Sequence, residues 1–341
     1  MASSLLPNLQ KYIRTTSNVP KGLRQMVRSP QYDEQAGFDE AVARMSRAKL
    51  LETPMRAIAV GECAVSENQF RYFIDGIQRS WLLYYQDYVP VYYGYVAAVV
   101  RQRPETLMST WRSLVREDIY LPYRYFDPVE RSQLEASFSI VDTAPREMDG
   151  AIDNTNDANN DDSEKQPVAL REAARNRISD SREKLESDLA ELWIEEDLPG
   201  WLVMDGSITI SKAAASHKRT IGLIKSHNTQ YFTFPEQEVV LNLKQGDRSS
   251  TFTPPGRHPV CSWYLRLRDN SNEDVHFGLV RVEASLKSQS QVDEISRWIL
   301  TERRPLSLPD SRWDKMIYPI RDCEQFLRSQ EPSKAAFGWL G

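Results

Sequence analysis

The chain is poor in cysteine, in net positive charge and in long apolar runs, and each shortage removes a class of function. Its three cysteines, Cys63, Cys261 and Cys323, lie far apart with no CxxC spacing and no Cys/His cluster. A disulfide framework and a structural zinc site are therefore not indicated, and a reducing, cytoplasmic setting is expected. No run approaches the ~18 apolar residues of a membrane span, and the opening MASSLLPNLQKYIRTT lacks a basic region followed by an apolar core. Neither membrane insertion nor secretion is expected. Lys and Arg number 43 against 48 Asp and Glu, a formal charge of -5. That balance excludes a uniformly basic coat for nucleic acid and leaves room for a local basic groove. No GxxxxGK[ST] pattern occurs, so ATP hydrolysis would have to come from another chain.

What remains is an ordinary globular composition, 40% hydrophobic and 27% charged over 341 residues, long enough for a sizeable core. The acidity is concentrated in one stretch. Residues 149–165, DGAIDNTNDANNDDSEK, hold six acids and one Lys; such a segment cannot bury enough apolar surface to fold, and a disordered insertion is expected over about 146–166. Residues 1–50 place Phe38, Val42, Met45 and Leu50 at helical spacing, which predicts a helical N-terminal extension reaching residue 55. The pattern then turns to strand at 56–64 and 70–77, and VPVYYGYVAAVVRQR reads as a buried strand paired antiparallel with them. Segment 104–143 mixes helical and extended pieces. A long helix over about 168–196 sets Leu185, Leu189, Leu192 and Trp193 on one face. Strands at WLVMD, KRTIGLIKS, 258–268 and 276–284 and helices at 290–303 and 315–329 complete one α/β domain over 56–330. Its mixed sheet is flanked by helices, with a tail at 331–341.

Two Asp-Gly dipeptides close apolar strands in this reading, FIDGIQRS at Asp75 and WLVMDGS at Asp205. A carboxylate at a strand end, followed by a Gly that lets the backbone turn, is a common holder of a hard divalent cation. The same dipeptide is also a common turn signal. The helix between them supplies a third acid. On a wheel of about 100° per residue with Leu185 at zero, Glu186 falls near 100°, at the margin of the buried stripe beside Trp193. Asp188, near -60°, lies on the other margin and competes with it, whereas Glu183 and Glu191 point to solvent. Three carboxylates gathered at strand ends would need a cation between them, and two such ions about 4 Å apart can activate water and stabilise a leaving phosphodiester oxygen. The alternative for Glu186 is a solvated helix face.

FIDGIQRS, the Glu-bearing helix running into LVMDGS, then IGLIKSHNTQYF, WYLRL, FGLVRVEASL and MIYPIRDCEQFL together resemble the NurA nucleases, in order and approximate spacing along about residues 56–330. The resemblance implies an RNase H-like fold, a homodimer, Mn²⁺- or Mg²⁺-dependent cleavage of DNA, and a HerA-type hexameric ATPase as the partner that translocates DNA. It implies Asp75 as the first-strand metal ligand, Glu186 as the helix ligand and Asp205 as the ligand of the later strand. Two departures stand out. Ser usually follows the first Asp-Gly of the family directly, whereas Ile77, Gln78 and Arg79 precede Ser80 here. The family's His after the YP motif is absent, which leaves Asp322 or Glu324 as a fourth, carboxylate ligand to a cation that accepts either donor. Divergence of this size suits a bacterial or phage-defence branch.

Lys225, at the end of TIGLIK, would face a scissile phosphate if it lies beside Asp205, and otherwise caps a strand. His227 is a general acid or a loop residue. Arg281 and Glu283 share a strand face and read as a supporting ion pair. The aromatics Trp81, Tyr84, Tyr85, Tyr88, Tyr92, Tyr93 and Tyr95 could stack bases but fit a core or interface better; Arg101, Arg103, Arg112 and Arg116 line a DNA path or decorate a surface. Rival readings are a non-catalytic RNase H-like adaptor that regulates the ATPase and, more remotely, a sugar-kinase-like nucleotide site.

Overall fold

In a computed structural model of the protein the described residues are 8, 23–25, 44–144, 166–303 and 315–332, without positions 62, 106, 271 and 272. The main strands are β1 (Phe70–Gln86), β2 (Val89–Gln102), β3 (Ser109–Leu121), β4 (Trp201–Asp205), β5 (Thr220–Ile224), β6 (Cys261–Arg266) and β7 (Leu279–Ala284). The main helices are α1 (Pro167–Glu195), α2 (Val292–Glu302) and α3 (Tyr318–Gln330). Together with shorter strands they form a 13-stranded sheet among the described residues, whose centre runs β6-β7-β5-β4-β1-β2-β3.

β1, β2 and β3 form an antiparallel meander, in which Asp75 faces Val99 and Val96 faces Arg116. The chain crosses back through α1. β4 then lies parallel to β1, with Ile74 beside Met204, and β5 parallel to β4, with Gly222 beside Met204. Three antiparallel strands, a helical crossover and two parallel strands on the far side of the first make an RNase H-like core. β7 and β6 extend it by antiparallel pairing. Central strands covered on both faces must be apolar nearly throughout, and β2 is buried from Val89 to Val100. The β1–β2 hairpin closes through Asp87 and Tyr88, both left-handed at φ 46° and 68°, the backbone that a two-residue I′ turn demands.

The two faces have separate cores. On one, Phe73, Ile77, Val203, Ile221 and Leu223 pack under α2 and α3 through Ile299, Ile320 and Leu327. On the other, Tyr72, Ile74, Leu202 and Met204 pack under α1 through Leu185, Leu189 and Trp193.

Within the expected helical N-terminal extension Asn8 is helical, but the described residues nearer the domain are not. Leu23–Gln25, Arg44–Met45 and Lys49–Leu50 are short strands, paired to β1, Thr229–Gln230 and Phe252–Thr253. Edge strands present open N–H and C=O groups, and satisfying them outweighs a weak helical period. Residues 1–7, 9–22 and 26–43 of the extension, residues 145–165 of the acidic insertion and residues 333–341 of the tail lie outside the described residues. β1 also runs nine residues past residue 77, where the expected strand stops, so Asp75 sits within a strand and not at its end.

Candidate functional site

The two Asp-Gly pairs share a sequence and do different work. Gly206 has φ +111° and turns the chain after β4. That turn rests on β5: a Cβ at Gly222 would stand 2.4 Å from the Gly206 carbonyl oxygen, so only glycine leaves room. It is pinned from β7, where Glu283 accepts from Ser207 Oγ at 2.6 Å and from the Ile208 N–H at 3.2 Å while paired with Arg281 at 2.5 Å. The Arg281–Glu283 pair therefore does form, and it holds the turn that carries Asp205. Gly76, in contrast, is not among the positive-φ glycines and continues β1. Its missing side chain makes space for Glu186, whose Oε1 would lie 2.3 Å from a Cβ built there.

One residue beyond the Ile74–Met204 pair, Asp75 and Asp205 stand side by side on parallel neighbours. Strand alternation turns both toward the α2/α3 face, with Phe73 and Val203. Glu186 approaches from the α1 face, only 4% exposed, where Arg182, one helical turn earlier, pairs with its Oε1 at 2.5 Å. Asp188, the competitor on the wheel, faces outward and pairs with Lys184. Glu191 is held at its other end of α1, accepting from Ser211 Oγ at 2.7 Å and not simply solvated. Lys225, just past β5, lies two residues beyond Leu223, the β5 partner of Asp205. Its Nζ reaches Asp205 Oδ1 at 2.7 Å.

Of the two fourth-ligand candidates, Asp322 is committed to Arg101 at 2.6 Å. Glu324 is buried on α3, bonded to Arg328 and Arg321, and its charge is felt at Asp75. Burial pushes the Asp75 carboxyl well above the usual carboxylate range, with Asp205, Glu186 and Glu324 adding to the rise and Lys225 opposing it. Burial likewise raises Glu186 to about 7 against the pull of Arg182, and Asp205 adds to that rise. Four carboxyls from β1, α1, β4 and α3 thus share one electrostatic neighbourhood, with Asp205 at the open end of β4 felt from both faces.

Asp205, Glu186 and Glu324 are partnered by side-chain cations, whereas Asp75 accepts from the Gly76 N–H at 2.8 Å. Among the described residues no three His, Cys, Asp or Glu side chains stand as a group that would hold a metal ion; Asp75 reaches the neighbourhood from the α2/α3 side of the sheet and Glu186 from the α1 side. The donor set itself is the all-oxygen kind that hard divalent cations take, and the Lys225 ammonium beside Asp205 is a stand-in positive charge.

Other residues resolve into supporting roles. His227 bonds the Leu279 carbonyl at 2.9 Å and stacks on His276, and burial lowers it to about 4, which keeps it neutral at ordinary pH. Trp81, Tyr84, Tyr92, Tyr93 and Tyr95 are buried in the cores, whereas Tyr88 is exposed at the hairpin tip. Arg101, Arg103, Arg112 and Arg116 are each paired, to Asp322, Glu302, Glu196 and Asp118. Arg182 went unread in the sequence although it had a signal: it falls near 60° on the α1 wheel, inside the buried stripe, where an arginine needs a partner.

No protein-family model and no curated protein matches the chain. Among solved structures it is similar to the NurA nuclease from Sulfolobus solfataricus, with a TM-score of 0.45 and 14% sequence identity over 80% of this chain and 82% of that one.

Proposed function

We propose that the chain is a metal-dependent deoxyribonuclease that hydrolyses phosphodiester bonds in DNA. The observation that carries this reading is the placing of Asp75 and Asp205 side by side on parallel neighbours β1 and β4, with Lys225 on Asp205 and Glu186 over Gly76; Asp205, Glu186 and Glu324 each raise the cost of ionising Asp75. Groups with perturbed ionisation collect where chemistry is done. Asp75, Glu186 and Asp205, with Glu324 as the fourth, would hold Mn²⁺ or Mg²⁺. When bound, the metal supplies an activated water and charge stabilisation for the leaving oxygen. Lys225 offers its ammonium to the phosphate oxygens as negative charge builds there, and Glu283 keeps the Asp205 turn in place. The motif resemblance adds DNA as substrate, a HerA-type hexameric ATPase as motor, and a homodimer acting in the cytoplasm in DNA end processing or anti-phage defence.

One observation favours a second reading, a non-catalytic adaptor of that ATPase: Asp205 and Glu186 are already neutralised by Lys225 and Arg182. A time course on linear single- and double-stranded DNA with Mn²⁺, Mg²⁺ or EDTA separates the two. Cleavage that requires metal and disappears in Asp205→Ala is expected. A wild-type protein that stays inactive, even with the motor and ATP present, would leave the adaptor reading.

A further inference from the structure

β1 and α1 meet in a two-by-two contact beside the carboxyl cluster. Gly76 and Gln78 alternate onto the α1 face of β1, while Arg182 and Glu186 lie one turn apart on α1. Two strand residues span about 6.6 Å and four helical residues about 6 Å, so the rungs match: Glu186 sits over Gly76 and Arg182 over Gln78. The contacts follow that match. Arg182 Nη1 pairs with Glu186 Oε1 at 2.5 Å, Arg182 Nε donates to Gln78 Oε1 at 3.1 Å, and the Arg182 Cγ would be 3.0 Å from a Cβ at Gly76. Arg182 also reaches Glu183 at 3.5 Å. The guanidinium is therefore fixed on more than one side, and only one oxygen of Glu186 is used by it.

We infer that Arg182, locked by Gln78, is a positioning residue that fixes the Glu186 carboxylate in one orientation toward the Asp75–Asp205 pair and leaves its second oxygen available to a divalent cation. The inference rests on the nuclease reading and adds to it a residue pair, Gln78 and Arg182, that comes from the structure. A guanidinium suits this role because its planar fork can serve a carboxylate and an amide oxygen at once, which an ammonium cannot. Gln78 belongs to the very segment, DGIQRS, where the chain departs from the motif it otherwise resembles. Partners that orient a metal ligand commonly govern metal affinity by 10–100-fold.

The test is calorimetric titration of the full chain with Mn²⁺, without DNA, in wild type, Arg182→Gln, Arg182→Lys and Gln78→Leu, with thermal melts to establish that each variant is folded. Arg182→Gln is expected to bind about 10–100-fold more weakly, Arg182→Lys to recover part of the loss, and Gln78→Leu to weaken binding several-fold with the Arg182–Glu186 pair still in place. Should Arg182→Gln not fold, Gln78→Leu carries the test. Unchanged or tighter binding in Arg182→Gln, or in Gln78→Leu when only that variant folds, overturns the inference and makes Arg182 a counter-ion that competes with the metal. Arg182→Lys no better than Arg182→Gln overturns it too. A wild type that binds no Mn²⁺ strikes the nuclease reading itself, an outcome distinct from either.

Discussion

Alanine at Gly76 reaches the site without removing a functional group. The added Cβ would stand 2.3 Å from Glu186 Oε1 and 3.1 Å from its Cδ, against an ordinary contact of about 3.5 Å. β1 resists yielding, since Gly76 is laddered to Ala98 of β2 and the strand is paired to β4 up to Ile74, two residues before it. The Glu186 carboxylate must therefore move by about 1 Å, giving up its geometry with Arg182. Overpacking of this kind costs about 1–3 kcal/mol, which at about 2–4 °C per kcal/mol lowers the melting temperature by about 2–12 °C. The effect on cleavage is larger, on the order of 10²-fold, because a displacement of this size misaligns a catalytic group. Thermal melting and the metal-dependent nuclease assay read the two separately. Combining Gly76→Ala with Glu186→Ala removes the clash and should reduce the stability cost of the glycine change to below about 1 kcal/mol. Wild-type melting together with wild-type cleavage in Gly76→Ala would refute the reasoning, and an undiminished cost in the double variant would place the strain elsewhere.

Two further outcomes follow from buried charges. In EDTA, Glu186, raised to about 7 from an ordinary 4.5, binds its proton more tightly folded than unfolded; its contribution is present at low pH and is lost as pH rises through 7, on the order of 3 kcal/mol in all. His227, lowered to about 4, works in the opposite direction, contributing stability above pH 6.5 that is lost as pH falls toward 4. Urea midpoints across pH 4–8 should therefore become more favourable to the neutral end in Glu186→Gln and less so in His227→Gln; parallel curves for variants and wild type would contradict both. Arg266 is fully buried and donates to the carbonyls of Leu241, Leu243, Val275 and Phe277. Arg266→Met should cost at least ~3 kcal/mol in urea unfolding by stranding these acceptors, and a loss below about 1 kcal/mol would mean that they find other donors.

The order of elements was legible because strong periodicities carried it. The buried stripe of α1 put Glu186 and Asp188 on its two margins, and only the fold shows Glu186 turned inward and Asp188 paired with Lys184; the Val- and Tyr-rich run of β2 announced a buried strand. The extent of β1 was not legible, since an Asp-Gly that turns and an Asp-Gly that makes room for a neighbouring helix look alike in one dimension. Gly206 turns; Gly76 gives space to Glu186. For the same reason the roles of the arginines were hidden: their carboxylate partners, as with Arg103 and Glu302, come from distant parts of the chain and only the fold brings them together. The strands of residues 44–50 were missed because what decides them is a partner at Thr229–Gln230 and Phe252–Thr253, not their own side chains.

The tight closure of the β1–β2 hairpin bears on how the molecule comes into being. A two-residue turn joins these strands, so they can pair within microseconds of being made, while Asp75 and Asp205 lie 130 residues apart in the chain. At a synthesis rate of about 5–20 residues per second, roughly ten seconds pass between the appearance of the first aspartate and the second. Throughout that interval Asp75 stands without the acid that neighbours it in the fold. The cluster assembles only when β4 has docked beside β1, so an incomplete copy lacks the Asp75–Asp205 pairing altogether.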